Sequence, residues 1–179
     1  LLLENIIRKD NRPYWLKKIT KKIVGLYVNQ FLSPQFERLG KGGAYFKPQY
    51  IKVFGENISI DDHPTLIGAK DAYLQFTSWS VGGWKGEIEI GKYSLITPGV
   101  RIMAAKKISI GDSVMIAHGA YISDTDWHGI YDRSKPVGNP KEVKIGNNVW
   151  IGDSAIICKG VTIEAVSYTH LRAHETHID

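Results

Sequence analysis

The chain has 179 residues, 43% of them hydrophobic and 23% charged, with 23 basic and 18 acidic side chains for a formal charge of +5. These are ordinary values for a soluble globular protein with one domain and a real core, and no apolar run reaches the ~18 residues of a membrane span. The lone cysteine, Cys158, excludes an internal disulfide and, with no secretory leader evident in Leu1-Leu2-Leu3, points to the cytoplasm.

The basic excess is concentrated at the start, in Lys9, Arg12, Lys17, Lys18, Lys21 and Lys22. Pro13 suits a first helical turn, and Trp15, Ile19, Ile23 and Leu26 come after it at spacings of three and four with lysines between them. Residues 1–49 therefore read as a basic helical segment that covers one end of the domain, with contact to an anionic membrane surface as the alternative. Pro34 and Gly40 mark breaks, and Gly40, Gly42 and Gly43 make a glycine-rich link. Without an initiator Met, the amino end reads as truncated.

A six-residue rhythm starts faintly at Phe54, Ile60 and Leu66. It blurs between Tyr73 and Gly86, where Trp79, Gly82, Gly83 and Trp84 suggest an irregular rung or a surface turn. His63, beside Pro64, reads as a turn residue. From Ile90 the rhythm is clear: Ile90, Ile96, Ile102, then Ile110, Ile116, Ile122, then Ile145, Ile151, Ile157, Ile163. Small or β-branched residues stand four positions later, as Ser94, Val100, Val114, Ala120, Val149, Ala155 and Val161. A period of six fits neither a helix nor a half-buried strand. It belongs to a β-solenoid in which stacked rungs form one inward column of large aliphatics and a second of small residues. Cys158 falls at a small packing position.

The phase slips briefly at Ala104 to Lys107, which puts Lys106 at an inward position. It slips at length after Ile122. The interval from Asp124 to Ile145 is polar, aromatic and turn-rich, so it loops out from the solenoid, and long loops on rigid scaffolds usually carry function. His128 is the candidate for chemistry there, because a neutral imidazole accepts a proton near pH 7 and Asp124 or Asp126 just before it would fix its tautomer. A surface histidine in a loop is the plain alternative. A zinc site competes: Ile116-Ala-His118-Gly resembles one fragment of the β-helical zinc carbonic anhydrases, but their second histidine, five residues on, is Ser123 here. No metal is expected.

The rungs, the loop Asp124-Thr-Asp-Trp-His-Gly-Ile-Tyr-Asp-Arg133 and the segment Ile145-Gly-Asn-Asn-Val-Trp150-Ile-Gly-Asp together resemble the hexapeptide-repeat (isoleucine-patch) acyltransferases, in particular sugar and polysaccharide O-acetyltransferases. The resemblance covers most of residues 50–164. It implies an all-β, left-handed parallel β-helix with an extruded loop, and a homotrimer with active sites between neighbouring prisms. It implies direct acetyl transfer from acetyl-CoA to a sugar or glycan hydroxyl with His128 as general base, oriented by Asp126 or Asp124. No nucleic-acid partner is expected. By the same resemblance Tyr131, Asp132 and Arg133 are candidates for sugar contacts, Trp150 lies near the trimer contact, and Asp153 and Ala155 stand along the coenzyme groove. The family often has a small residue at the place of Asp153. A non-catalytic trimeric scaffold or carbohydrate binder remains the competing reading. The family continues past Ile163 with further rungs, whereas here residues 165–179 read as a foreign appendage, so the carboxyl end of residues 50–164 also reads as truncated.

Overall fold

The structure, a computed structural model, describes residues 13–128, 139–166 and 168–169. Its core is a three-sided coil of short parallel strands, with two faces of six strands and one of five. Face 1 holds Arg38–Leu39, Ile58–Ile60, Ile88–Ile90, Ile108–Ile110, Val143–Ile145 and Thr162–Ile163. Face 2 holds Ala44–Phe46, Thr65–Ile67, Leu95–Ile96, Met115–Ile116, Trp150–Ile151 and Tyr168–Thr169. Face 3 holds Ile51–Phe54, Leu74–Ser78, Arg101–Ala104, Tyr121–Ser123 and Ile156–Ile157. The chain visits the faces in that order on every turn. Short parallel strands on three faces and, among the described residues, one α-helix ahead of them fit the left-handed parallel β-helix.

Each hexad turns one edge of the prism, so the isoleucines form three columns and not the one expected. Ile60, Ile90, Ile110, Ile145 and Ile163 align on face 1. Leu66, Ile96, Ile116 and Ile151 align on face 2. Val53, Phe76, Ile102, Ile122 and Ile157 align on face 3. Nearly all are fully buried, and so are the small residues Ser94, Val100, Val114, Ala120, Val149 and Ala155. Burying one such aliphatic contributes about 1.5–3 kcal/mol, so the stacked columns hold the fold.

The edges have their own chemistry. Between faces 1 and 2 the chain turns through left-handed residues at His63, Tyr93, Ser113, Asn148 and Val166. Side-chain oxygens there accept amides from the neighbouring coil: Lys41 N–H donates to Asp62 (2.8 Å), Lys92 N–H to Asp112 (2.7 Å) and Asp112 N–H to Asn147 (2.8 Å). Polar residues at these edges close backbone donors that the turn would leave unpaired. His63 stacks flat on Tyr93, 5.0 Å between ring centres, in keeping with a turn role.

Three boundaries differ from the sequence reading. The coil begins at Arg38, because Arg38–Leu39 pairs with Ser59–Ile60 and Ala44–Phe46 with Thr65–Ile67, so the glycine-rich link is itself an edge of the prism. The blurred stretch contains an ordinary rung, Leu74–Ser78, with Phe76 filling the isoleucine position. After it comes an antiparallel hairpin of Ser80–Val81 and Trp84–Lys85 that projects from the edge. At the other end Tyr168–Thr169 pairs with Trp150–Ile151, so the backbone continues the coil into the segment read as foreign. The small slip is absorbed by buried Ala104 and Ala105, and Lys106 stays outside.

Helix α1 spans Tyr14–Tyr27 and buries none of its residues. The end of the prism is capped instead by two short turns after the helix, a π-helical turn Val28–Leu32 and a 3₁₀ turn Ser33–Gln35, which bring Val28, Leu32 and Phe36 onto the core. A cleft of about 930 Å³ between α1 and the first coil is lined by Lys17, Lys21 and Val24 from the helix. By helical periodicity the arc of Trp15, Ile19, Ile23 and Leu26 then lies on the opposite side, where these residues are 44–70% exposed. Among the described residues, no helix is long and apolar enough to cross a membrane.

Candidate active site

The loop that carries His128 leaves the edge between faces 3 and 1. Asp124, at its first position, is fully buried. Its carboxylate accepts the main-chain N–H groups of Ala105 (2.7 Å), Lys106 (2.7 Å) and Lys107 (2.8 Å) from the coil below. Burial pushes the Asp124 carboxyl above its ordinary range, against the opposing pull of these three donors. The Lys141 N–H returns to the Asp124 carbonyl at 2.9 Å, which closes the loop at its base. Asp124 is thus a clamp for the loop, with both oxygens engaged by main-chain amides of the coil below. Lys107 also pairs with Glu87 (3.2 Å) and Glu89 (2.8 Å), and its hydrogen bond holds Glu89 below the usual carboxylate range.

Asp126, next along, pairs with Lys159 from the coil above, a partner with no signature in the hexad pattern. Trp127 has a left-handed backbone, φ 61°, a conformation that costs a bulky residue on the order of 1 kcal/mol. It is held there by its indole N–H, which donates to Tyr121 Oη and Ser123 Oγ, each at 3.1 Å. The ring also meets Trp79 edge-on at 6.1 Å. His128 comes directly after this anchored residue and is exposed. Tyr131, Asp132 and Arg133 lie outside the described residues.

The other predicted positions are not on this edge. Trp150 stands outward on face 2 at 40% exposure, in register with Met115 at 41%. Face 2 is opposite the edge that bears the loop, so one prism cannot bring Trp150 and His128 together. Asp153 lies at the edge between faces 2 and 3, where its carboxylate accepts Ser154 Oγ–H (2.8 Å) and sits 3.8 Å from His118 Nδ1. Ala155 points into the core at 2% exposure, and its N–H and C=O are both bonded within the coil. His63, His118 and His128 occupy three different edges, so no two of them share a site within one chain.

The chain is similar to a polysialic acid O-acetyltransferase from Neisseria meningitidis, 44% identical over 63 residues that make up 34% of this chain and 29% of that protein. It is similar to a galactoside O-acetyltransferase from Escherichia coli K12, 27% identical over 114 residues, 56% of each chain. Among solved structures, a maltose O-acetyltransferase from Clostridium difficile 630 aligns with 89% of this chain and 79% of its own, at 26% identity and a TM-score of 0.43. No protein-family profile matches. The chain spans 29% and 56% of the lengths of the two curated relatives. Both are O-acetyltransferases by name, the class of protein that the hexads and the loop resemble.

Proposed function

We propose that this hexapeptide-repeat chain is the β-helical part of an O-acetyltransferase that moves an acetyl group from acetyl-CoA to a hydroxyl of a sugar or glycan, with His128 as general base. The observation that carries the reading is the clamped loop: Asp124 and Trp127 fix the approach to an exposed imidazole on a scaffold whose relatives acetylate sugars. A neutral imidazole nitrogen takes the proton of the acceptor hydroxyl as its oxygen attacks the thioester carbonyl. The tetrahedral intermediate collapses, the C–S bond breaks, and the thiolate leaves with the proton held by His128. Base assistance of this kind contributes roughly 10²–10⁴ in rate, and the rest comes from holding donor and acceptor together. Of the two neighbouring carboxylates, Asp126 is assigned the positioning role, itself held in place by its ion pair with Lys159.

The oligomeric reading is a homotrimer. His128 and Trp150 lie on opposite sides of one prism, and the outward apolar pair Met115 and Trp150 on face 2 suits burial against a neighbour. In such an assembly the loop of one chain reaches the groove beside Trp150 and Asp153 of the next, where the coenzyme would lie, with Ala155 packing that wall from inside. Helix α1 supports a peripheral contact with anionic lipid: it carries four lysines, no acidic residue, and an apolar arc turned away from the prism. The test of the activity is release of free coenzyme A thiol from acetyl-CoA with sialic acid oligomers and galactosides as acceptors. Acceptor-dependent release supports the reading; glycan binding without thiol release supports a non-catalytic binder.

A further inference from the structure

Three aromatic rings run up the edge that carries His128. Phe54, from the first coil, is 57% exposed and lies 4.9 Å from Trp79, centre to centre. Trp79, from the second coil, is 36% exposed and reaches Trp127, in the loop of the fourth coil, at 6.1 Å. The third coil sits between them, and where its chain turns this edge it places the buried methyls of Ala104 and Ala105 ahead of exposed Lys106, so Trp79 crosses over small side chains. Beside the run, on the projecting hairpin, Trp84 is 38% exposed and holds the Lys106 ammonium 5.3 Å from its ring centre.

Stable solenoids have no need of exposed tryptophans at an edge, since the columns inside already bury the core. Exposed aromatic surface that continues into a functional loop marks a ligand track. The ring steps are on the scale of one sugar ring, and the apolar C–H face of a pyranose stacks on an aromatic face while its hydroxyls stay in water. A lipid or an apolar peptide would need a broader dry surface than a single file of rings beside a lysine. We propose that Phe54, Trp79 and Trp84 form an acceptor subsite that holds the sugar residues next to the one presented to His128, so that the acceptor is an oligosaccharide lying along the edge, with Lys106 favouring an acidic sugar. This rests on the acetyltransferase reading for the role of the site, but the binding itself is independent of it.

The test compares a sialic acid oligomer with its monomer on the intact chain. Quenching of tryptophan fluorescence reads binding, and thiol release reads transfer. Trp79→Ala is expected to weaken oligomer binding and to raise the oligomer KM by roughly tenfold, a clearly larger factor than the change in monomer KM that follows from removing its contact with Trp127. Trp79→Phe, which keeps a stacking face, is expected to recover most of the loss, and Phe54→Ala, at a more exposed position, to reproduce part of it without disturbing the fold. Equal effects on monomer and oligomer, or oligomer binding unchanged in both alanine variants, would overturn the subsite. Oligomer binding that depends on Trp79 with no thiol release from any acceptor would uphold the subsite and refute the acetyltransferase reading.

Discussion

The Lys141 N–H donates to the Asp124 carbonyl at 2.9 Å, so the loop bearing His128 begins and ends at one point of the prism. The same aspartate holds three amides of the coil below through its carboxylate. Asp124→Ala would strand those donors, one of them on fully buried Ala105, at a cost of about 3–5 kcal/mol. Asp124→Asn keeps one acceptor oxygen and is expected to lose less than half as much. Denaturant unfolding of the three chains measures both.

That carboxyl also sets a pH signature. Its folded pKa is raised by burial, so the folded chain holds the proton more tightly than the unfolded chain. The stability it contributes is full below the ordinary Asp range and falls as pH rises through the raised value. The stability difference between wild type and Asp124→Asn is therefore expected to shrink with rising pH over that window and then level off. A difference that grows with pH would mean the three amides outweigh burial.

The face 3 column predicts a sharp contrast between adjacent residues. Ile102 is fully buried and Arg101 beside it is exposed. Ile102→Ala should cost about 2–5 kcal/mol, whereas Arg101→Ala should change stability by about 0.5 kcal/mol or less. Thermal or denaturant melts distinguish the two.

The outward pair on face 2 predicts an assembly defect. Met115→Asp or Trp150→Ala should shift the mass measured by light scattering from trimer toward monomer, with the far-UV spectrum retained. A trimer unaffected by both substitutions would place the contact elsewhere.

Helix α1 predicts binding to vesicles of anionic lipid, lost when Lys17, Lys18, Lys21 and Lys22 become Gln and weakened by salt. Sedimentation with anionic and neutral vesicles checks it. Equal binding to both kinds would remove the electrostatic part of the contact.

Much of the fold was legible because isoleucine recurs at every sixth position wherever an edge is turned in the standard way. It became illegible where an edge is longer, as between Leu66 and Phe76, or where the side of the prism is filled by another residue type, as by Phe76 and Val53 on face 3. The start at Arg38 was hidden because its strand of two residues carries no repeat by itself. At the site, His128 stood out by residue type and by its place in the interruption. The clamp by Asp124 did not, because a carboxylate near a histidine reads as its partner until the amides of another coil are seen. Lys159, which engages Asp126 from 33 residues away, had no local signal at all.

The central claim is that the clamped loop delivers a base, and thiol release by His128→Ala answers it most directly. With an acceptor on which the wild type is active, the variant is expected to lose roughly 10²–10⁴ in turnover while its melting temperature and its acceptor binding are unchanged. Turnover equal to wild type would show that the imidazole takes no part in the transfer.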